Sequence, residues 1–232
     1  MAKRGKLIVI DGNDGSGKTT QVNMLIRKLR KEGHVVKLAD FPEYYNNFFG
    51  KFIGHCLSEQ YYNWTHIHPK IASIIYAADR FESRDKIGGW LKKGYVVIAD
   101  RYVSTNQIHQ GGKIKNPKKR KAFISWLNEM EYEVFKIPKA DAVFYLDVPL
   151  AVSLKLIRQR SKEKSRVYLG TKKDVHEKDK NFLKNSHTSA LWLAKTQKGW
   201  IKIDCAKGGT LNTRETIHQE IYAKVKKVIK KI

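Results

Sequence analysis

The sequence predicts an α/β fold of three layers, with one parallel five-stranded sheet between two sets of helices. Three observations carry that expectation. The 232 residues suffice for one large domain with a sizeable core, and are too few for two ordinary domains with a long linker. Hydrophobic residues make up 41% of the chain and aromatics 11%, the composition of a globular protein. Five short apolar runs alternate with longer amphipathic stretches, and such alternation implies a parallel sheet covered on both faces.

The runs are KLIVI from Lys6, HVVKLAD from His34, YVVIAD from Tyr95, AVFYLDV from Ala142 and WIKID from Trp200. After the first comes a glycine-rich turn, then a helix with Val22, Leu25, Ile26 and Leu29 on one face. Residues Pro117 to Phe135 read as one amphipathic helix with Pro at its start. Ser161 to Lys180 is charged and poor in apolar residues, which predicts a mobile lid loop between two helices within a single domain spanning 1–232. Thr213 to Ile232 places Ile217, Ile221, Val225, Val228 and Ile232 at helical spacing, with lysines in the last turns where they suit the helix dipole.

Composition excludes several classes. No run of about 18 apolar residues is present, so no membrane-spanning helix is expected. Two cysteines, Cys56 and Cys205, make neither a disulfide framework nor a zinc spacing, and fit a reduced cytoplasm. Forty-six Lys and Arg oppose 22 Asp and Glu, a net charge of +24 that attracts anions. The basic residues are spread along the chain, which argues for a lysine-rich surface over a dedicated nucleic-acid stripe. PKKRK at Pro117 to Lys121 matches a nuclear-import pattern, but in so basic a chain the match is cheap.

The strongest local signal is GNDGSGKTT, from Gly12 through Asn13, Asp14, Gly15, Ser16, Gly17, Lys18 and Thr19 to Thr20. It satisfies G-x-x-x-x-G-K-[ST] and sits between an apolar strand and an amphipathic helix, as a phosphate-binding loop must. Glycines let consecutive N–H groups curl round a phosphate, and the helix start adds its positive end. Lys18 reaches the β and γ phosphates and Thr19 offers a hydroxyl to magnesium. No N-K-x-D for guanine follows. The third strand ends in Asp100 followed by Arg101, at the sheet edge where α/β proteins bind ligands. Asp100 suits magnesium held through water, and the planar fork of Arg101 suits a second, acceptor phosphate. That pairing points to a kinase whose acceptor already carries a phosphate.

From about Lys6 to the C-terminal helix the chain resembles the thymidylate kinase family, P-loop nucleoside monophosphate kinases. The resemblance rests on Phe41-Pro42-Glu43-Tyr44 after the second strand, YAADRFE from Tyr76 to Glu82, DRYVSTNQIHQGG from Asp100 to Gly112, and IPKAD from Ile137 to Asp141. It implies a P-loop fold with a lid, and transfer of phosphate from ATP to thymidine monophosphate with magnesium. Tyr76 would stack on thymine and Arg80 would bond its O4. Asn106 and His109 would line base and sugar beside Phe41, Pro42, Tyr44 and Gln110, and Arg101 would hold the acceptor phosphate. Asp14 resembles the family's loop aspartate, between acceptor sugar and magnesium, and the family is typically dimeric. Read from the residues alone, an aromatic platform beside an arginine suits a base bearing a carbonyl. Tyr76 as plain core and Arg80 in a surface ion pair within its own helix are the competing readings.

The phosphate loop carries no arginine, so the donor-side cation is expected from the lid. Arg160 or Arg166 would contact the ATP phosphates on closure, and Arg158 would sit on the adenine side. Two alternatives stand beside this reading: the same fold acting on another nucleoside or monophosphate, and a nucleic-acid-binding protein on a P-loop scaffold.

Overall fold

The computed structural model describes residues 4–58, 64–163 and 179–230, the side chains of 160–163 apart. Five strands form the sheet: β1 (Lys6–Gly12), β2 (Val36–Asp40), β3 (Val96–Asp100), β4 (Ala142–Asp147) and β5 (Trp200–Asp204). Their order is β2-β3-β1-β4-β5 and every pairing is parallel. Register brings Ile10, Asp40 and Asp100 level, and Gly12 level with Leu146. The C-terminal edge of the sheet therefore carries a row of carboxylates beside the loop that leaves β1.

Alternation along β1 divides the core. Ile8 and Ile10 face α1 (Lys18–Lys31) and the C-terminal helix, where Val22, Leu25, Leu29, Ile217, Ile221 and Val225 join them. Leu7 and Val9 face the opposite way, into a cluster with Val97, Ala99, Ile87 and Leu91. Burial of these aliphatic side chains, at about 1.5–3 kcal/mol each, is the main stabilisation of the three layers. A smaller cluster, Ile53, Cys56, Leu57, Trp64 and Ala72, lies under α2 (Phe48–Leu57) and α3 (Pro69–Glu82). The other helices are α4 (Arg84–Lys92), α5 (Val103–Gly112), α6 (Pro117–Asn128), α7 (Leu150–Glu163), α8 (Lys180–Thr196) and α9 (Arg214–Ile229).

Two expected helices differ in detail. The stretch from Pro117 begins as expected, with Asn116 capping α6, but ends in a π turn, Glu129–Val134. There Phe135 N–H reaches back five residues to Met130 O at 2.9 Å. The wider turn sends Met130 and Glu131 inward and leaves Glu129 and Glu133 outside. In α9 the buried stripe is Ile217, Ile221, Val225 and Ile229; Val228 lies beside it and Ile232 lies outside the described residues. Both cysteines are free and buried. No helix among the described residues is long and apolar enough to cross a membrane.

Candidate active site

A cavity of about 990 Å³ opens along the carboxylate edge of the sheet. One end is the loop between β1 and α1. Gly17, at φ 81°, turns the chain into α1 without a side-chain cap. By contrast α3, α6, α8 and α9 are capped by the side chains of His68, Asn116, Asp179 and Thr213. The first N–H groups of α1 thus remain available to an anion, which the helix dipole also favours. Gly15 (φ 77°) is required twice over, since a Cβ there would meet Ser153 O at 2.5 Å.

Lys18 is folded back over the loop, its Nζ donating to Gly12 O at 2.8 Å and Asn13 O at 3.0 Å. Burial, and the nearby Arg101, lower its pKa to about 8. Thr19 Oγ1 donates to Asp100 Oδ2 at 2.9 Å, and burial raises the pKa of Asp100. Ser16, Thr20, Asp14, Gly15 and Gly17 also line the cavity. Gly12 and Asn13 do not; Gly12 supplies a carbonyl to Lys18, and the Asn13 side chain donates to Leu183 O at 3.3 Å, towards α8.

Arg101 stands at the centre. Its φ of 66° is a left-handed conformation that a non-glycine residue adopts at a cost, and such residues cluster at functional sites. The guanidinium donates to Asp14 Oδ1 at 2.6 Å and to His109 Nε2 at 3.2 Å. Burial opposes its charge, but Asp14, Asp11 and Asp100 outweigh burial and hold it protonated. Because arginine only donates, His109 accepts at Nε2 and carries its proton on Nδ1, which donates to Ser186 Oγ at 3.0 Å. The imidazole stacks on Phe182 of α8, centroids 5.5 Å apart.

The far end is made of side chains. Phe41, Pro42, Tyr44, Tyr76, Arg80, Asn106, His109 and Gln110 all line it, as the sequence proposed. Tyr76 is cavity wall and core at once: its hydroxyl accepts from Trp64 Nε1 at 3.0 Å and it packs on the α2–α3 cluster. Gln110 is 1% exposed and its Oε1 has no hydrogen-bond partner among the described residues. Arg80 corrects the idea of a surface pair within its own helix. It is buried, and its partner is Glu131, fully buried in the π turn and 51 residues away.

Sequence reasoning missed Glu131 and also Asp11, whose carboxylate accepts from Gly12 N, Ser104 Oγ and Thr105 Oγ1 at 2.8, 2.6 and 2.8 Å. It missed another stretch of wall as well, where Gln21, Leu211, Asn212, Arg214 and Ile217 line the cavity. The exposed Arg158 does not line it, although Leu156 and Gln159 of the same helix do. The side chain of Arg160, and Arg166 with most of the expected lid, lie outside the described residues. Among the described residues no three His, Cys, Asp or Glu form a metal cluster. Thr19 with Asp100 forms one hydrogen-bonded pair of hard oxygen donors beside the loop, and Asp14 and Asp40 also line the cavity.

Comparison with known proteins gives consistent answers. The family model for thymidylate kinase matches residues 10–221. A thymidylate kinase of Mycobacterium tuberculosis (strain ATCC 25618 / H37Rv) is 30% identical over 200 residues, 84% of this chain and 87% of that one. One from Plasmodium falciparum is 28% identical over 228 residues, 97% and 92% of the two chains. The solved thymidylate kinase of Candida albicans superposes with a TM-score of 0.71 at 23% identity, covering 98% of this chain and 93% of that one, and so shares the fold.

Proposed function

The chain belongs to the thymidylate kinase family, and from that premise we propose how its residues divide the work of moving the γ phosphoryl group of ATP to thymidine monophosphate. The observation that carries the assignment is the position of Arg101, between the phosphate loop on one side and the Tyr76–Arg80–Asn106 wall on the other. The loop N–H groups and Lys18 take the β and γ phosphates, with Lys18 exchanging its two loop carbonyls for phosphate oxygens. Arg101 takes the acceptor phosphate. Asp14, held by Arg101, orients that guanidinium on the sugar side. Leu211 to Arg214 form the adenine wall in place of Arg158.

The acceptor phosphate has a second pKa near about 6 and is a nucleophile at neutral pH, so no general base is needed. Rate then comes from in-line placement and from cancelling charge as the phosphoryl group moves. Thr19 and Asp100 fit magnesium, since a hydroxyl and a buried carboxylate 2.9 Å apart are the few hard ligands that this ion takes alongside water and phosphate. Bound there, the ion supplies positive charge to the β and γ oxygens. We assign the remaining donor-side cation to Arg160 or Arg166; if replacing each in turn leaves kcat within about twofold, that assignment falls.

The test is a panel of nucleoside monophosphates with ATP and magnesium, following ADP release. Thymidine monophosphate should be used best, deoxyuridine monophosphate less well, and cytidine and purine monophosphates barely. Equal turnover of deoxycytidine monophosphate would remove Arg80 and Asn106 from base recognition. We also propose a homodimer through α2 and α3, where Phe48, Ile71, Ile74 and Phe81 are exposed at 73%, 57%, 42% and 44%. Sedimentation of a monomer at micromolar concentration would rule it out. The +24 charge is read as a field that draws in anionic substrates in the cytoplasm. A filter-binding titration that revealed tight, salt-sensitive DNA or RNA binding would overturn that reading.

A further inference from the structure

We propose that Glu131 sets the hydrogen-bonding polarity of the base pocket, fixing which of its atoms donate and which accept. The inference rests on the reading of Arg80 and Asn106 as the base-contacting pair. Glu131 touches no substrate-facing surface itself: it is fully buried, behind Arg80 at 3% exposure and Asn106 at 2%. Its Oε2 accepts from Arg80 Nε at 2.7 Å, and its Oε1 accepts from Arg80 Nη2 and from Asn106 Nδ2, the latter at 3.0 Å. Three N–H donors thus converge on two carboxylate oxygens. Asn106 Nδ2 has a second acceptor, Ser73 O, at 3.1 Å.

The consequences follow from the donor inventory. Both protons of the Asn106 amide are used, one on Glu131 and one on the Ser73 carbonyl. Turning the amide over would set Oδ1 against two acceptors, so Oδ1 is the amide atom left for a ligand. None of the hydrogen bonds among the described residues engages it. Arg80 spends Nε and one Nη2 proton on Glu131, which leaves its other three N–H, two on Nη1 and one on Nη2, so towards the cavity it only donates. Both side chains line the cavity. They present one donating and one accepting group, the complement of a base edge with a carbonyl next to an imide N–H. Thymine and uracil have that edge. Cytosine has the reverse, an exocyclic amine next to a bare ring nitrogen, and meets donor with donor and acceptor with acceptor.

A glutamine at 131 has one acceptor oxygen for those three donors, and its own N–H2 would oppose Asn106 Nδ2. Asn106 would keep only the Ser73 carbonyl, so about half of its orientational preference would remain. Glu131 is a positioning residue, and its removal should alter discrimination between bases rather than phosphoryl transfer.

The experiment measures kcat/KM of the full chain for thymidine, deoxyuridine and deoxycytidine monophosphates at saturating ATP, for wild type and Glu131→Gln. The wild type should prefer thymidine over deoxycytidine monophosphate by at least about a thousandfold, since a site built to hydrogen-bond one group rejects its absence strongly. In Glu131→Gln that ratio should fall at least tenfold, mainly through the acceptor KM. The ATP KM and the thymidine to deoxyuridine ratio should stay within about twofold, because the triad does not read the 5-methyl group. General damage would instead lower all three substrates together. A deoxycytidine ratio within twofold of wild type, in a folded variant, overturns the role of Glu131 and leaves the base-contact reading standing. A wild type that uses deoxycytidine monophosphate freely overturns the base-contact reading itself. If Glu131→Gln does not fold, hydrogen exchange in the ligand-free wild type decides. Arg80 Nε–H and the Asn106 side-chain amide should exchange slowly at neutral pH, and exchange as fast as that of an exposed arginine overturns the proposal.

Discussion

The two ends of the cavity, proposed to take the donor phosphates and the acceptor base, are built by different means. At the donor end the walls are largely backbone: the β1–α1 loop, the uncapped start of α1, and one lysine parked on the loop's own carbonyls. At the acceptor end the walls are side chains from β2's exit, α3 and α5, braced from behind by the π turn and α8. Backbone recognition needs little more than a local sequence that bends correctly. Side-chain recognition needs partners brought together across the chain, such as Arg80 with Glu131 and Arg101 with Asp14 at separations of 51 and 87 residues. On the proposed function, the first end would bind triphosphates in general and the second would choose.

Substitutions can separate the two ends. The largest expected effect is at the donor end. Lys18→Ala should lower kcat by about a thousandfold, because one fixed cation is lost from the moving charge in a dry site. Thymidine monophosphate affinity, measured by calorimetry without ATP, should change little; a large change would mean that the ends are not separable. Next is Arg101→Ala, with kcat/KM for thymidine monophosphate down by about a hundredfold and the ATP KM within about threefold. An equal loss for both substrates would move Arg101 from the acceptor end to the shared centre.

The smallest effect is a pH dependence confined to the donor end. In the free protein the pKa of Lys18 is lowered to about 8 by burial, while triphosphate binding restores the ammonium, so binding takes up a proton above pH 8. ATP affinity at pH 8.5 should be about fourfold weaker than at pH 7. By the same linkage the ligand-free folded state binds fewer protons than the unfolded chain between about 8 and 10.5. Its stability therefore rises with pH across that window. Lys18→Met should remove both trends, and their persistence in that variant would assign them to another group. Thymidine monophosphate affinity should not share the dependence.

The same contrast governs what could be read from the sequence. The five strands, the loop and the buried face of α1 were legible because each is a local pattern of period or spacing, and the structure places them as expected. At the other end Tyr76 and Arg80 also read as an aromatic platform beside an arginine, but resemblance to a family was needed to single them out together with Asn106. Their neighbour Glu131 was not, since one glutamate among Glu129, Glu131 and Glu133 carries no sign that it alone is buried. The π turn that selects it is closed by Phe135 N–H on Met130 O, and apolar periodicity does not report that. The wall from Leu211 to Arg214, proposed to meet adenine, escaped for a related reason: it leads into α9, more than 190 residues from the phosphate loop with which it shares the cavity.

The π turn also bears on how this enzyme can change in length. Deletion of a single residue from a helix end is usually absorbed by the following loop. Here, loss of one residue between 128 and 131 would restore ordinary helical winding and carry Glu131 about 100° around the axis, out of the core. The sheet, the phosphate loop and the parked lysine would be untouched. An insertion or deletion just behind the cavity wall, invisible in an inventory of the cavity's contact residues, could therefore change what the enzyme accepts while leaving how it transfers phosphate intact.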